Sequence, residues 1–264
     1  VICLFKSVCY IRTLLTHLLT TRLIMPYRRL PNTDTARIRA LNAAVLKGEK
    51  MIPFNLAFSQ KTLQEIKYFL PSFRQAIQMY KEAYNDQVEG NKIYLEHQRK
   101  AKIYISHFIQ VVNLAIARNE QPEKIRKYYK LTDFENRVPA LNSESDIFEW
   151  GNNIIKGEAE RIAKGLAPIT NPTAAMVKVM FEKFNSSYQK QQAYKDKSQH
   201  TLDKVVELRE RADSLIANLW NEIEKTFDKL PHDLKREKSS EYGIVYVFRR
   251  SELPSFMSVR SQVS

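Results

Sequence analysis

A chain of 264 residues, 44% of them hydrophobic, is long enough to bury one large core or two modest ones. It has only 6 glycines, at 48, 90, 151, 157, 165 and 243, and these positions allow no GxGxxG fingerprint, Walker A loop or GxSxG elbow. A net charge of +13 gives attraction to polyanions but specifies no fold.

Scarce glycine with abundant Ala, Leu, Lys, Glu and Gln favours helix over sheet. Both cysteines, Cys3 and Cys9, fall in the first ten residues. No disulfide or thiolate metal site is therefore expected further along, and a reduced, cytoplasmic setting fits. In residues 1–24 the apolar run is broken by Lys6, Arg12, His17 and Arg22. A signal peptide needs an unbroken core of about 7–15 apolar residues, and a membrane span about 20. No membrane span is expected. The favoured reading takes Met25 as the natural start and residues 1–24 as a non-native extension. A basic helix lying at a membrane surface is the rival.

Residues 25–32 carry two prolines and should be extended. Thr33 or Asp34 can cap the next helix, whose apolar face is Ile38, Leu41, Val45 and Leu46, and Gly48 is placed to end it. Residues 51–58 form an apolar linker interrupted by Pro53. Ser59 opens a long helical region with Leu63, Ile66, Phe69 and Leu70 at helical spacing. Pro71 should kink or split it. The stripe resumes at Phe73, Ile77, Tyr80, Tyr84 and Val88, and residues 85–91 are the favoured turn, with a continuous helix as the alternative.

Within residues 91–118 lies the segment 103–117, IYISHFIQVVNLAIA. Its polar residues Ser106, His107, Gln110 and Asn113 make one narrow stripe on a helix. A helix apolar nearly all round belongs in the middle of a bundle, so this segment reads as the central rod. Pro122 can start a short helix through Lys130, and residues 131–142 look like a loop. Ser143 and Asp146 resemble a capping box ahead of a helix burying Ile147, Phe148, Trp150, Ile154, Ile155 and Ile162, with Gly165 as its stop.

Asn171 and Pro172 offer a cap followed by proline at a first helical position. The stripe there is Val177, Met180, Phe181, Phe184 and Tyr188. Residues 189–200 are polar enough for a turn or a solvated stretch. Residues 202–230 form the cleanest amphipathic helix, ended by Pro231. The two long regions share a spacing of apolar positions at an offset of 107 residues, which fits two hairpin halves, 25–142 and 143–250. In residues 241–249 the run Ile244, Val245, Tyr246, Val247, Phe248 is a strand signal. A strand needs a partner, either residues 51–58 or another chain, and the latter would give a homo-oligomer; the alternative is that the run docks as an irregular apolar tail. Residues 251–264 read as a disordered tail.

Chemistry is sparse. No histidine pair has zinc-motif spacing. The residues three before the histidines are Leu14, Tyr94, Tyr104, Lys197 and Lys229, so the Glu–His pattern of helical di-iron sites is missing. Residues 85–96 echo a calcium loop but lack its paired aspartates and place Lys92 at its apolar position. His107 is either a ligand or proton carrier, or, as favoured, a hydrogen-bonded histidine at the core's rim. No cofactor is expected. Basic residues interleave with tyrosines, and the candidate nucleic-acid contacts are Arg99, Lys100, Lys102, Lys124, Arg126, Lys127, Tyr128 and Lys130. A third basic group is Lys235, Arg236, Lys238, Arg249 and Arg250. Acids such as Glu96, Glu123 and Glu237 are interspersed, and they favour a plain solvated face.

The stretches MPYRRLPNTD (25–34) and EYGIVYVFR (241–249) resemble the ends of an uncharacterised all-helical bacterial family of unknown function. That resemblance implies a start at Met25 and carries no activity, ligand or catalytic residue. The expectation is an all-α protein of long helical hairpins packed as a bundle, with one short C-terminal β-strand. Its expected role is a non-enzymatic scaffold or protein-interaction protein with an unknown protein partner. The alternative is a nucleic-acid-binding module using its basic helix faces.

Overall fold

The computed structural model describes residues 27–247. Expectations for residues 1–24 and 251–264 lie outside them. The architecture is all-α with one small β element. The elements are β1 (Tyr27–Arg28), α1 (Asp34–Lys50), α2 (Gln60–Ala117), α3 (Glu144–Ala163), α4 (Ala174–Thr226), α5 (His232–Ser240) and β2 (Tyr246–Val247). No helix among the described residues is long and apolar enough to cross a membrane. The described residues fall into two compact units, 27–77 with 205–247, and 78–204.

In the first unit, Thr33 caps α1 by accepting the Ala36 N–H at 3.2 Å. The helix runs past Gly48 to Lys50. Gly48 is a contact residue, since a Cβ there would lie 2.6 Å from the Leu63 side chain. Two charge-swapped pairs bind α1 to α4. Arg37 grips Asp213 at 2.8 and 2.9 Å, and Arg209 grips Asp34 at 2.7 Å twice. Both are bidentate, the stronger geometry for a guanidinium and a carboxylate. Ser59 opens α2, its hydroxyl accepting the Thr62 N–H at 3.2 Å. The Glu222 carboxylate accepts both the Ser59 N–H and the Thr62 hydroxyl at 2.6 Å, fixing the start of α2 against α4. Leu63, Ile66, Phe69 and Phe73 of α2 and Ala212, Ile216, Leu219 and Ile223 of α4 are buried.

Pro71 does not break α2. It sits on the exposed side, and so does Lys67, whose carbonyl loses its donor and is left to water. The C-terminal strand pairs within the chain, Tyr27 opposite Val247 and Arg28 opposite Tyr246, antiparallel. Residues 51–58, the partner expected from sequence, instead hold a 3₁₀ turn at Pro53–Asn55. Both strands converge on Glu224, which accepts from Arg28 at 3.2 Å and from the Tyr246 hydroxyl at 2.8 Å. Helix α5 gave no sequence signal because it is almost wholly polar.

In the second unit α2 also continues, without a turn at 85–91. Gly90 is a helix–helix contact, since a Cβ there would come within 2.5 Å of the Tyr194 ring of α4. The polar stretch 189–200 is helical, and its side chains pair across to α2. Gln191 donates to Asn91 at 3.2 Å and Lys197 meets Asp86 at 3.0 Å. Partner numbers fall as the chain rises, so the two segments run antiparallel.

Segment 103–117 is not apolar all round in its packing. It buries Ile105, Phe108, Ile109, Val112 and Asn113 but leaves Ile103 and Leu114 half exposed, with His107 and Gln110 exposed too. It is a one-sided helix, so the reading of it as an enclosed central rod is corrected. The capping box of α3 is present: Ser143 Oγ accepts the Asp146 N–H, and Asp146 accepts the Ser143 N–H at 2.8 Å. Ile147 and Ile154 are buried, while Ile162 is exposed. Phe148 packs on Phe181, Phe184 and Tyr188 with ring centroids 5.0–5.9 Å apart. Gly165, at φ +76°, follows the end of α3 as expected. The cap of α4 is Thr173, whose hydroxyl accepts the Met176 N–H at 3.3 Å, and not Asn171.

A seven-residue 3₁₀ helix, Glu123–Tyr129, packs against α3. Its closest approach is at Gly157, where a Cβ would lie 2.2 Å from the Tyr128 carbonyl oxygen. A backbone atom cannot swing aside. Gly157→Ala should therefore lower the free energy of unfolding by about 1–3 kcal/mol, read as a shifted urea midpoint in far-UV circular dichroism. An unmoved midpoint would contradict this packing.

Candidate functional site

The 3₁₀ helix sorts the predicted basic residues. With three residues per turn, positions i and i+3 eclipse and form straight rows. Lys124 and Lys127 lie on the exposed row, and exposed Lys130 follows as a left-handed cap at φ 57°. Arg126 and Tyr129 form the inward row. Arg126 is 4% exposed and donates to Asn113 at 2.6 Å and Asn136 at 2.7 Å. It braces the loop and does not face solvent. Tyr128 is half buried, with the Lys164 ammonium 4.7 Å from its ring centre. The structure thus brings Lys124, Lys127, Tyr128 and Lys130 together on one segment and adds Lys164. Arg99, Lys100 and Lys102 lie on α2, where Lys100 is paired with Glu96 at 2.6 Å.

Sequence reading missed the group beneath this segment. On α3 the apolar stripe Ile147, Trp150, Ile154 is continued at helical steps by Glu158 and Arg161. Both side chains are buried. A charged pair occupying stripe positions was the available signal. Arg161 donates to Glu158 at 2.7 Å, the Tyr129 hydroxyl at 2.9 Å, the Ala167 carbonyl at 3.0 Å and Gln121 at 3.3 Å. Glu158 also accepts the Ile169 N–H at 2.6 Å and the Tyr129 hydroxyl. Burial raises the Tyr129 phenol well above its ordinary value, and the bond to Glu158 adds to this. With every charged group enclosed, this cluster joins chain segments.

In the first unit, a different feature faces outward. The 3₁₀ turn Pro53–Asn55 is closed by the Asn55 N–H on the Ile52 carbonyl at 2.9 Å. Behind it Ala57 and Phe58 are buried, and the Thr226 hydroxyl holds the Ala57 carbonyl at 2.8 Å. In front, Ile52 is 66% and Phe54 97% exposed. An anchored turn therefore presents two large apolar side chains to solvent.

His107 is exposed and borders a shallow 350 Å³ groove with Ile103, Pro172 and Met176, not the hydrogen-bonded rim position expected for it. A larger groove, 580 Å³, lies between α2 and α4 in the second unit, with Ile93, His97, Val179 and Tyr194 among its walls. Among the described residues no three His, Cys, Asp or Glu side chains come together in a way that could hold a metal ion.

Comparison with protein-family models, curated proteins and solved structures found no match. The resemblance of residues 25–34 and 241–249 therefore assigns no family.

Arg161→Leu should cost about 3–5 kcal/mol, because it strands a buried carboxylate. Adding Glu158→Leu should recover part of that in a double-mutant cycle, and an additive second loss would contradict the pairing. The Tyr129 shift also sets a pH dependence. Below the ordinary phenol value of 10.0 both states hold the proton. Above it the unfolded chain releases the proton while the folded chain keeps it, so stability falls as pH rises beyond that point. Tyr129→Phe should make this fall shallower by about 1.4 kcal/mol per pH unit, measured by urea unfolding between pH 10 and 11.5. An unchanged slope would contradict it.

Proposed function

We propose that this protein is a non-enzymatic helical interaction protein that docks a protein partner on the knuckle formed by Ile52, Pro53 and Phe54. The observation that carries the reading is Phe54, 97% exposed on a turn tethered on its far side by Thr226. A large aromatic left in water on a pre-ordered turn gains about 1.5–3 kcal/mol when a partner buries it. The backbone that carries it has little conformational freedom left to lose on docking. Aromatic anchors of this kind dominate protein interfaces. The placement of both cysteines near the start of the chain supports a reduced, cytoplasmic setting.

Affinity purification of the full chain from its native host, beside an Ile52→Ser, Phe54→Ser double variant, tests this. The variant should melt like the parent and lose the partner seen with the parent. An identical set of captured proteins from both would overturn the reading.

A second reading is favoured by one observation, the solvent-facing row Lys124, Lys127, Lys130 with Lys164 alongside at Tyr128. Lys124 and Lys127 eclipsed, with Lys130 just beyond them, suit a run of phosphates, and binding would then be steeply salt-dependent. A salt titration against single-stranded RNA tests it. Changing the three lysines to glutamine should lower the log–log salt slope by about 2, at 0.7 per phosphate contact on a single strand. An unaltered slope, or no binding at low salt, would dismiss this reading.

A further inference from the structure

The first unit contains a 410 Å³ cavity whose chemistry is unlike that of the other grooves. One wall is a strip of small side chains on α1, Ala36, Ala40 and Ala43, spaced to lie on a single helical face. Gly243 closes one end, where a Cβ would sit 2.8 Å from that of Ala43. Trp220 of α4 forms part of the lining. The small residues leave the space.

One observation concerns what this space would take. Arg29 and Arg39 both line it, and no Asp or Glu does. Elsewhere in the unit Arg28, Arg37 and Arg209 are each paired with a carboxylate, Glu224, Asp213 and Asp34. Among the described residues Arg29 and Arg39 have no such partner. The volume lies in the range of small-molecule sites, which are mostly apolar with a few polar groups that orient the ligand.

We infer that this cavity binds a small amphipathic anion, an apolar monocarboxylate whose body lies along Ala36, Ala40 and Ala43 while its head meets Arg29 and Arg39. This reading is independent of the Phe54 knuckle and of the lysine row.

Isothermal titration calorimetry on the full chain, with decanoate below its aggregation threshold, tests it. Saturable binding of one decanoate per chain is expected, with 1-decanol and decylammonium far weaker at the same concentration. Arg29→Gln with Arg39→Gln should weaken decanoate by at least about tenfold, as expected when charge-assisted contacts to a carboxylate are lost. Ala40→Leu should abolish binding by filling the floor. The arginine pair is solvent-facing, so its variant keeps the test meaningful even if the leucine variant does not fold. Equal binding of decanol and decanoate, undiminished decanoate affinity in the arginine variant, or no saturable binding by the parent would each overturn the inference.

Discussion

A guanidinium cut off from water needs acceptors, and the second unit is organised around supplying them to the two terminal nitrogens of Arg161, its Nε alone being left without one. Its donors reach Glu158 on its own helix, Tyr129 on the 3₁₀ segment, Gln121 before that segment and the Ala167 carbonyl beyond α3. Glu158 in turn holds the Ile169 N–H. Four stretches of chain, most of them outside regular helix, thereby converge on one charge. Apolar side chains of similar volume would be about as stable there. What the polar cluster adds is direction, because each bond fixes the position of one segment.

That fixing decides what the surface of the unit offers. Tyr129 turned inward on a three-residue period forces Arg126 inward with it and Lys124 and Lys127 outward. The basic row is thus a consequence of the buried charge. In the first unit a comparable division of labour operates by other means. Bidentate ion pairs and the Glu222 and Glu224 carboxylates hold helix ends and strands in place, so that a short turn can keep Ile52 and Phe54 in water. Exposed apolar side chains on mobile chain would fold back onto the core. On an anchored turn they remain available to a partner.

Much of the fold was legible in the sequence. The capping box at Ser143 and Asp146, the Thr33 cap and the strand signal at Tyr246 and Val247 each appear where local chemistry put them, and the apolar stripes of α2 and α4 are buried or half buried apart from exposed Tyr84, Val88 and Val206. What misled were residues whose meaning depends on a neighbour distant in sequence. Gly90 reads as a turn until Tyr194 is seen against it, and the polar stretch around Gln191 reads as solvated until Asn91 is seen opposite. Pro71 reads as a breaker, but one exposed carbonyl without a donor costs little. Segment 103–117 looked enclosed because apolar content does not say how many sides are covered. Of the candidate site, composition gave the lysines but not their row, which requires the 3₁₀ period. Composition gave no sign of Phe54, because exposure is not a property of a residue type.

Hydrogen exchange at a single amide probes the central role of Arg161 most directly. The Ile169 N–H lies in a loop past α3, outside any helix, and its acceptor is Glu158, which Arg161 holds in place. If the buried cluster fixes the loops, this amide exchanges as slowly as the core amides of α3, opening only with the unit as a whole. Exchange at the rate of an ordinary loop amide, while α3 stays protected, would contradict the account.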